Sequence, residues 1–116
     1  AAPLEKRTRW AESKLAQIAK DLDEAIHLSA QCMKFAEKGA RKQSALQKFD
    51  QQQAQIRPIL RRIPPLNLIT QKGIREAISE GQQATTLQQS MRANRKLYSV
   101  IHHGCRQLRD GIPSED

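Results

Sequence analysis

The chain has 116 residues, a formal net charge of +8 and an isoelectric point near 10, with 38% hydrophobic and only 3% aromatic residues. That length supports one domain with its own core and excludes a dependence on disulfide staples. The low aromatic content and the scarcity of β-branched alternation argue against a sheet and against a base-stacking platform. No apolar run approaches the roughly 18 residues that a membrane span needs, and the first residues lack the apolar stretch of a signal peptide. A chain free in solution and not associated with a membrane is expected. The lack of an initiating Met points to a processed chain or an excised domain.

The first element is a long helix. Apolar or small residues recur at Ala11, Leu15, Ile18, Leu22, Ala25, Ser29, Cys32 and Ala36, alternating steps of four and three that mark a helix laid along a partner. A second stripe, Trp10, Leu28 and Phe35, lies about 100° around the cylinder, so two packing partners are expected. Pro3 suits the first turn, and Lys38-Gly39 reads as a C-terminal stop with Gly in the left-handed position.

A second helix is expected from Arg41 to Arg62, because its apolar set, Leu46, Phe49, Ile56 and Leu60, would fall opposite the first stripe if the helix ran on through Gly39. Pro58 predicts a kink or interruption within it. Pro64-Pro65 then forces the chain to reverse, and this stretch, with three of the five prolines, carries Arg57, Arg61 and Arg62.

Asn67 or Thr70 can cap a third helix running to about Arg109. Its second half has a clear stripe at Leu87, Met91, Asn94, Tyr98, Ile101, Cys105 and Leu108. Unbroken, it would reach about 60 Å, against about 33 Å for the second helix. Either Gly81 splits it, giving four helices, or its end projects with Ile101, Cys105 and Leu108 exposed for a partner or a second copy. Gly111-Ile112-Pro113 ends helical structure, and Ser114-Glu115-Asp116 should fray. The expected fold is thus an all-α antiparallel bundle of three long helices, or four with a break near Gly81. Its core is expected at Leu15, Ile18, Leu22, Cys32, Leu46, Phe49, Ile56, Leu87, Met91, Tyr98 and Ile101.

Catalytic and metal motifs fail on spacing. Glu24-x-x-His27 has the i, i+3 pattern of di-metal bundles but lacks the second copy such sites need. His102 and His103 diverge by about 100° on a helix and do not grip one ion together. Cys32 and Cys105 sit among apolar neighbours and read as core thiols in a reducing, intracellular setting, cytoplasmic or nuclear. No nucleophile elbow or phosphate-cradling Gly-rich loop is present. The chain is therefore expected to be neither an enzyme nor a cofactor carrier.

Charge is more informative. Residues 1 to 39 are nearly balanced, whereas 40 to 65 carry Arg41, Lys42, Lys48, Arg57, Arg61 and Arg62 against Asp50 alone. Further on, Arg92, Arg95, His102, Arg106 and Arg109 fall within about a 100° sector beside an apolar stripe. In an antiparallel arrangement one end gathers Lys6, Arg7, Arg9, Arg57, Arg61, Arg62, Lys72 and Arg75. These observations predict phosphate-backbone binding through Arg57, Arg61, Arg62, Lys72, Arg75, Arg92, Arg95, Arg106 and Arg109, with DNA or RNA as the partner and little sequence choice. The competing expectation is a helical interaction domain of a larger assembly that meets an acidic protein or self-associates through an exposed apolar stripe.

Overall fold

In the computed structural model, residues 4–112 are described in backbone, and their side chains from Glu12 onward. Four helices follow one another: α1 (Leu4–Gly39), α2 (Gln43–Arg62), α3 (Leu68–Gln83) and α4 (Leu87–Asp110). The all-α antiparallel bundle expected from periodicity is what forms, in its four-helix version. α1 is the central helix. It packs against α2 on one side and α4 on the other, and α3 folds back on α4 without packing on α1 or α2. At 1.5 Å per residue α1 is about 54 Å long, and it sets the long axis of a body measuring 58 × 28 × 24 Å.

The core follows the stripes. Leu22, Ala25, Leu28, Cys32 and Ala36 from α1 meet Phe49, Ile56 and Ile59 from α2 and Met91, Tyr98, Ile101 and Cys105 from α4. Phe49 and Tyr98 pack edge to face with centroids 5.9 Å apart, the arrangement that the ring quadrupoles favour. Leu28 and half-buried Phe35 bear out the second stripe. The side chain of Trp10, its first member, lies outside the described residues, as do Pro3 and the C-terminal tail from Pro113.

Two expected core residues are not core. Leu15 is 45% exposed because α2 and α4 end near Asp21 and Asp23, leaving α1 to run on for about five turns past them. Leu87 is 49% exposed because it is the first residue of α4, level with the turn from α3. Ile18 and Leu46 are partly buried against the core.

Two backbone expectations are corrected, and of the kink or interruption expected at Pro58 the interruption does not occur. α2 runs through Pro58 without interruption. Pro58 and Ala54, whose carbonyl loses its i+4 donor, are both exposed, so water can supply the missing bond. Gly39 ends α1 without a left-handed φ, since Arg41 and Lys42 both donate to the Lys38 carbonyl in an ordinary turn.

The break in the last segment falls at Ala84–Thr86, past Gly81, which stays helical. Thr86 caps α4 by accepting from the Gln89 amide at 3.1 Å, while Gln89 Oε1 accepts from the Thr85 amide at 2.9 Å. A capping hydroxyl on Thr86, with Gln89 three residues later reaching back to the Thr85 amide, starts a helix more effectively than one Gly stops one. At the other end Asn67 caps α3, accepting from the Thr70 amide at 2.8 Å. The α3–α4 hairpin is close because small residues line it: a Cβ on Gly104 would lie 2.5 Å from Thr70 Cγ2, and one on Gly73 would lie 3.0 Å from Val100 Cγ1. Ile101 and Cys105 are buried in the core and Leu108 is partly buried against it, so this stripe is not the exposed docking face of the projecting-helix alternative.

Candidate nucleic-acid interface

α1 runs antiparallel to α2 and to α4, and α3 antiparallel to α4, so the bundle has two distinct ends. One end joins the C-terminal part of α2, the Pro64-Pro65 turn, the start of α3 and the end of α4. It does gather Arg57, Arg61, Arg62, Lys72 and Arg75, as expected; Lys6, Arg7 and Arg9 lie outside the residues whose side chains are described.

The same end also gathers carboxylates. Arg62 donates to Asp21 through Nη2 at 3.1 Å and Nε at 3.4 Å, and the Asp21 side chain is only 6% exposed. This pairing holds the Asp21 carboxyl below its ordinary value, with burial opposing and the Arg62 charge and Gln17 assisting. Arg109 donates to Asp23 at 2.9 Å. Glu12, Glu24, Glu76 and Asp110 belong to this end as well, whereas Glu80 is at the opposite end, paired with Lys96 at 3.3 Å.

The Arg92 to Arg109 row is divided between two directions. Residues 95, 102 and 109 are two helical turns apart in succession and share a face, and that face meets α1. Arg95 lies 3.9 Å from Glu37, Arg109 pairs with Asp23, and His102 Nδ1 lies 3.0 Å from both the Ile26 carbonyl and Ser29 Oγ. Arg92 and Arg106 remain exposed. Of the nine expected contact residues, Arg62, Arg95 and Arg109 thus carry ion pairs, while Arg57, Arg61, Lys72, Arg75, Arg92 and Arg106 are exposed with no carboxylate partner among the described residues.

The other end, around the α1–α2 turn, is one that the helical patterns do not single out. It brings Lys34, Lys38, Arg41, Lys42 and Lys48 beside Arg92, Arg95 and Lys96 of α4, with only Glu37, Asp50 and Glu80 to offset them. Lys34 and Lys48 both reach the ring of Phe35, at 5.4 and 5.7 Å from its centroid, so the aromatic holds the two ammonium groups on one surface. Neither α2 nor α4 has an acidic residue in its first turn. A groove of about 440 Å³ is lined by Lys34, Glu37, Lys38, Arg41 and Lys42, and a second of about 280 Å³ shares Glu37 and Arg41 and continues to Arg92 and Arg95.

The sequence signal for this end is the basic excess of residues 40 to 65. Only part of that excess belongs to the proline turn, because Arg41, Lys42 and Lys48 sit at the start of α2 and hence at the opposite end. Among the described residues the two most exposed large apolar side chains, Leu68 at 80% and Ile69 at 85%, lie at the proline-turn end. Among the described residues no group of three or more His, Cys, Asp or Glu side chains gathers to hold a metal, and none of the helices is long and apolar enough to cross a membrane.

The fold defines the class: an all-α bundle of four helices with a strongly basic surface. Comparison with known proteins finds no matching family model, curated protein or solved structure.

Proposed function

We propose that this chain is a non-enzymatic nucleic-acid-binding module that contacts the phosphate backbone of DNA or RNA through Arg and Lys, largely without sequence choice. The observation that supports this most directly is the exposure of Arg57, Arg61, Lys72, Arg75, Arg92 and Arg106 without a carboxylate partner among the described residues. Like charges at this density add nothing to folding, since neighbouring cations are mildly repulsive, but they suit a polyanion whose counterions they release. The free, buried thiols Cys32 and Cys105 fit a reducing intracellular location.

The test is fluorescence anisotropy with labelled single-stranded DNA, duplex DNA and RNA over a salt series. Arg61→Ala combined with Lys72→Ala should weaken all three. The log–log salt slope should fall by about 0.9 for each duplex phosphate that is no longer neutralised, and by about 0.7 for each phosphate on a single strand. Arg62 is left intact in that variant because it holds Asp21.

A second reading is a protein-interaction domain. Leu68 and Ile69 favour it, as adjacent aliphatic side chains left in solvent beside a basic surface. An acidic partner or a second copy is its expected occupant. Concentration-dependent sedimentation abolished by Leu68→Ser with Ile69→Ser would move it ahead.

A further inference from the structure

Resting on the nucleic-acid reading, the geometry points to the α1–α2 turn end as the principal phosphate-binding surface, with the proline-turn end contributing less. Four lines converge on it. First, the balance of charge differs between the ends: eight cations face three carboxylates around the α1–α2 turn, and nine face six at the other end, counting residues 12–112. Second, one cation of the proline turn is withdrawn from the free surface, since Arg62 is committed to buried Asp21. At the α1–α2 turn end the two ion pairs, Arg95 to Glu37 at 3.9 Å and Lys96 to Glu80 at 3.3 Å, are exposed on both sides, so neither carboxylate is buried as Asp21 is.

Third, the cations line a depression. The two grooves meet at Arg41 and Glu37, so a path runs from Lys34 and Lys38 on α1 across the turn to Arg92 on α4. Lys34 and Lys38 are one helical turn apart, about 6 Å along the axis. A backbone strand laid along this path meets Lys34, Lys38, Arg41, Lys42, Arg92 and Arg95 against the single carboxylate of Glu37, and a concave basic surface with low-dielectric walls concentrates the field. Fourth, among the described residues the large apolar side chains left most exposed, Leu68 and Ile69, are at the far end, while Ile78 and Leu87, nearer this one, are each only about half exposed. An amphipathic acidic helix would need an apolar track here that the surface does not supply; a phosphodiester strand needs only charge and donors.

The experiment compares two triple variants in the full chain, Lys38→Ala/Arg41→Ala/Lys42→Ala at the turn and Arg57→Ala/Arg61→Ala/Lys72→Ala at the other end. All six side chains are exposed, so circular dichroism and the thermal midpoint serve as a check on folding. A second turn variant, Lys34→Gln/Arg92→Gln, repeats the test without touching the start of α2. Probes are a labelled 20-mer single strand, its duplex and an RNA of the same sequence, with polyglutamate of matched charge as the protein-like polyanion.

The turn variants should lose about ten-fold or more in affinity at moderate salt. For the triple variant the slope should fall by about 2 on single strands and nearly 3 on duplex. The other triple variant should lose clearly less. If it loses as much or more while the turn variants bind like the parent, the assignment of the site is overturned and the nucleic-acid reading stands. If the parent binds none of the three nucleic acids, or binds polyglutamate as tightly at the same salt, the reading itself falls and takes this assignment with it.

Discussion

Asp21 and Arg62 form the one ion pair in the described residues whose carboxylate is buried, with Oδ1 and Oδ2 each facing a guanidinium nitrogen at 3.1 and 3.4 Å. The pair ties the last turn of α2 to the middle of α1, at the point where α1 begins to extend beyond its neighbours. A single side chain thus both removes Arg62 from the free basic surface and closes the open end of the α1–α2 hairpin.

The first prediction concerns that pair. Its carboxyl titrates below the ordinary value of 3.8, chiefly through the hydrogen bond from Arg62. A folded-state value below the unfolded one means that the contribution is full above the unfolded value and is lost as pH falls through the folded one. Asp21→Asn should therefore lower the unfolding midpoint at pH 7, and the gap from the parent should close below about pH 4. A gap that stays constant down to pH 2 would show that the pair acts by packing and not by charge.

Burial separates two leucines that the stripe treats alike. Leu22 is fully buried in the core and Leu15 is almost half exposed. Leu22→Ala should cost about 2 to 5 kcal/mol, while Leu15→Ala should stay within about 0.5 kcal/mol of the parent. Denaturant unfolding of the two variants with a common m-value measures both.

That contrast shows what periodicity conveys and where it stops. The four-and-three spacing of α1 identifies its buried face and both packing partners, because burial along a helix is a one-dimensional property of the sequence. How far each partner reaches along that face depends on where Asp21 and Asp23 find Arg62 and Arg109, which is a three-dimensional relation. The basic candidates show the same division. Arg92 and Arg106 are legible as exposed-face cations, but Arg41 and Lys42 gain their setting only when the antiparallel hairpin brings the start of α4 to them. The break before α4 is legible in Thr86-x-x-Gln89, a stronger signal than the nearby Gly81.

The glycines of the α3–α4 hairpin give opposite expectations. A Cβ on Gly104 meets Thr70 Cγ2 at 2.5 Å and Leu66 Cδ1 at 3.3 Å, so Gly104→Ala should destabilise by about 1 to 3 kcal/mol. Adding Thr70→Ser removes that methyl group and should recover part of the loss. A Cβ on Gly81 lies 3.7 Å from Ala93 Cβ, an ordinary contact, and Gly81→Ala should stabilise by about 0.5 to 1 kcal/mol through helix propensity. Thermal unfolding of the three variants decides it; a stabilising Gly104→Ala would mean that the hairpin is looser than its geometry.

Both thiols should be silent in the folded protein. Burial pushes Cys32 up to about 12 and Cys105 up to about 11, which leaves almost no thiolate at pH 8 and little access for a reagent. Labelling by a thiol-reactive disulfide should therefore follow the opening of the bundle, slow in buffer and immediate in denaturant. Rapid stoichiometric labelling of either cysteine under native conditions would contradict the packing of α1 on α4.

The last prediction rests on His102, which the helical wheel groups with the arginine row and which the fold turns toward α1. Its Nδ1 lies 3.0 Å from the Ile26 carbonyl oxygen and 3.0 Å from Ser29 Oγ, and Ser29 Oγ itself donates to the same carbonyl at 3.0 Å. A carbonyl oxygen only accepts, so the short approach requires a hydrogen on Nδ1, shared between Ile26 and Ser29, and leaves Nε2 as the free acceptor in the neutral ring. Ser29 is fully buried and so depends on these bonds within the protein. His102→Ala should cost about 1 to 3 kcal/mol through the missing hydrogen bond and the space left at the α1–α4 seam. Long-range nitrogen–proton spectra of the neutral imidazole should show Nδ1 protonated and Nε2 bare. The opposite tautomer would mean that Ser29 donates to the ring and that the Ile26 carbonyl is held another way; His102→Ala would then be expected to leave the α1–α4 seam nearly as stable as before.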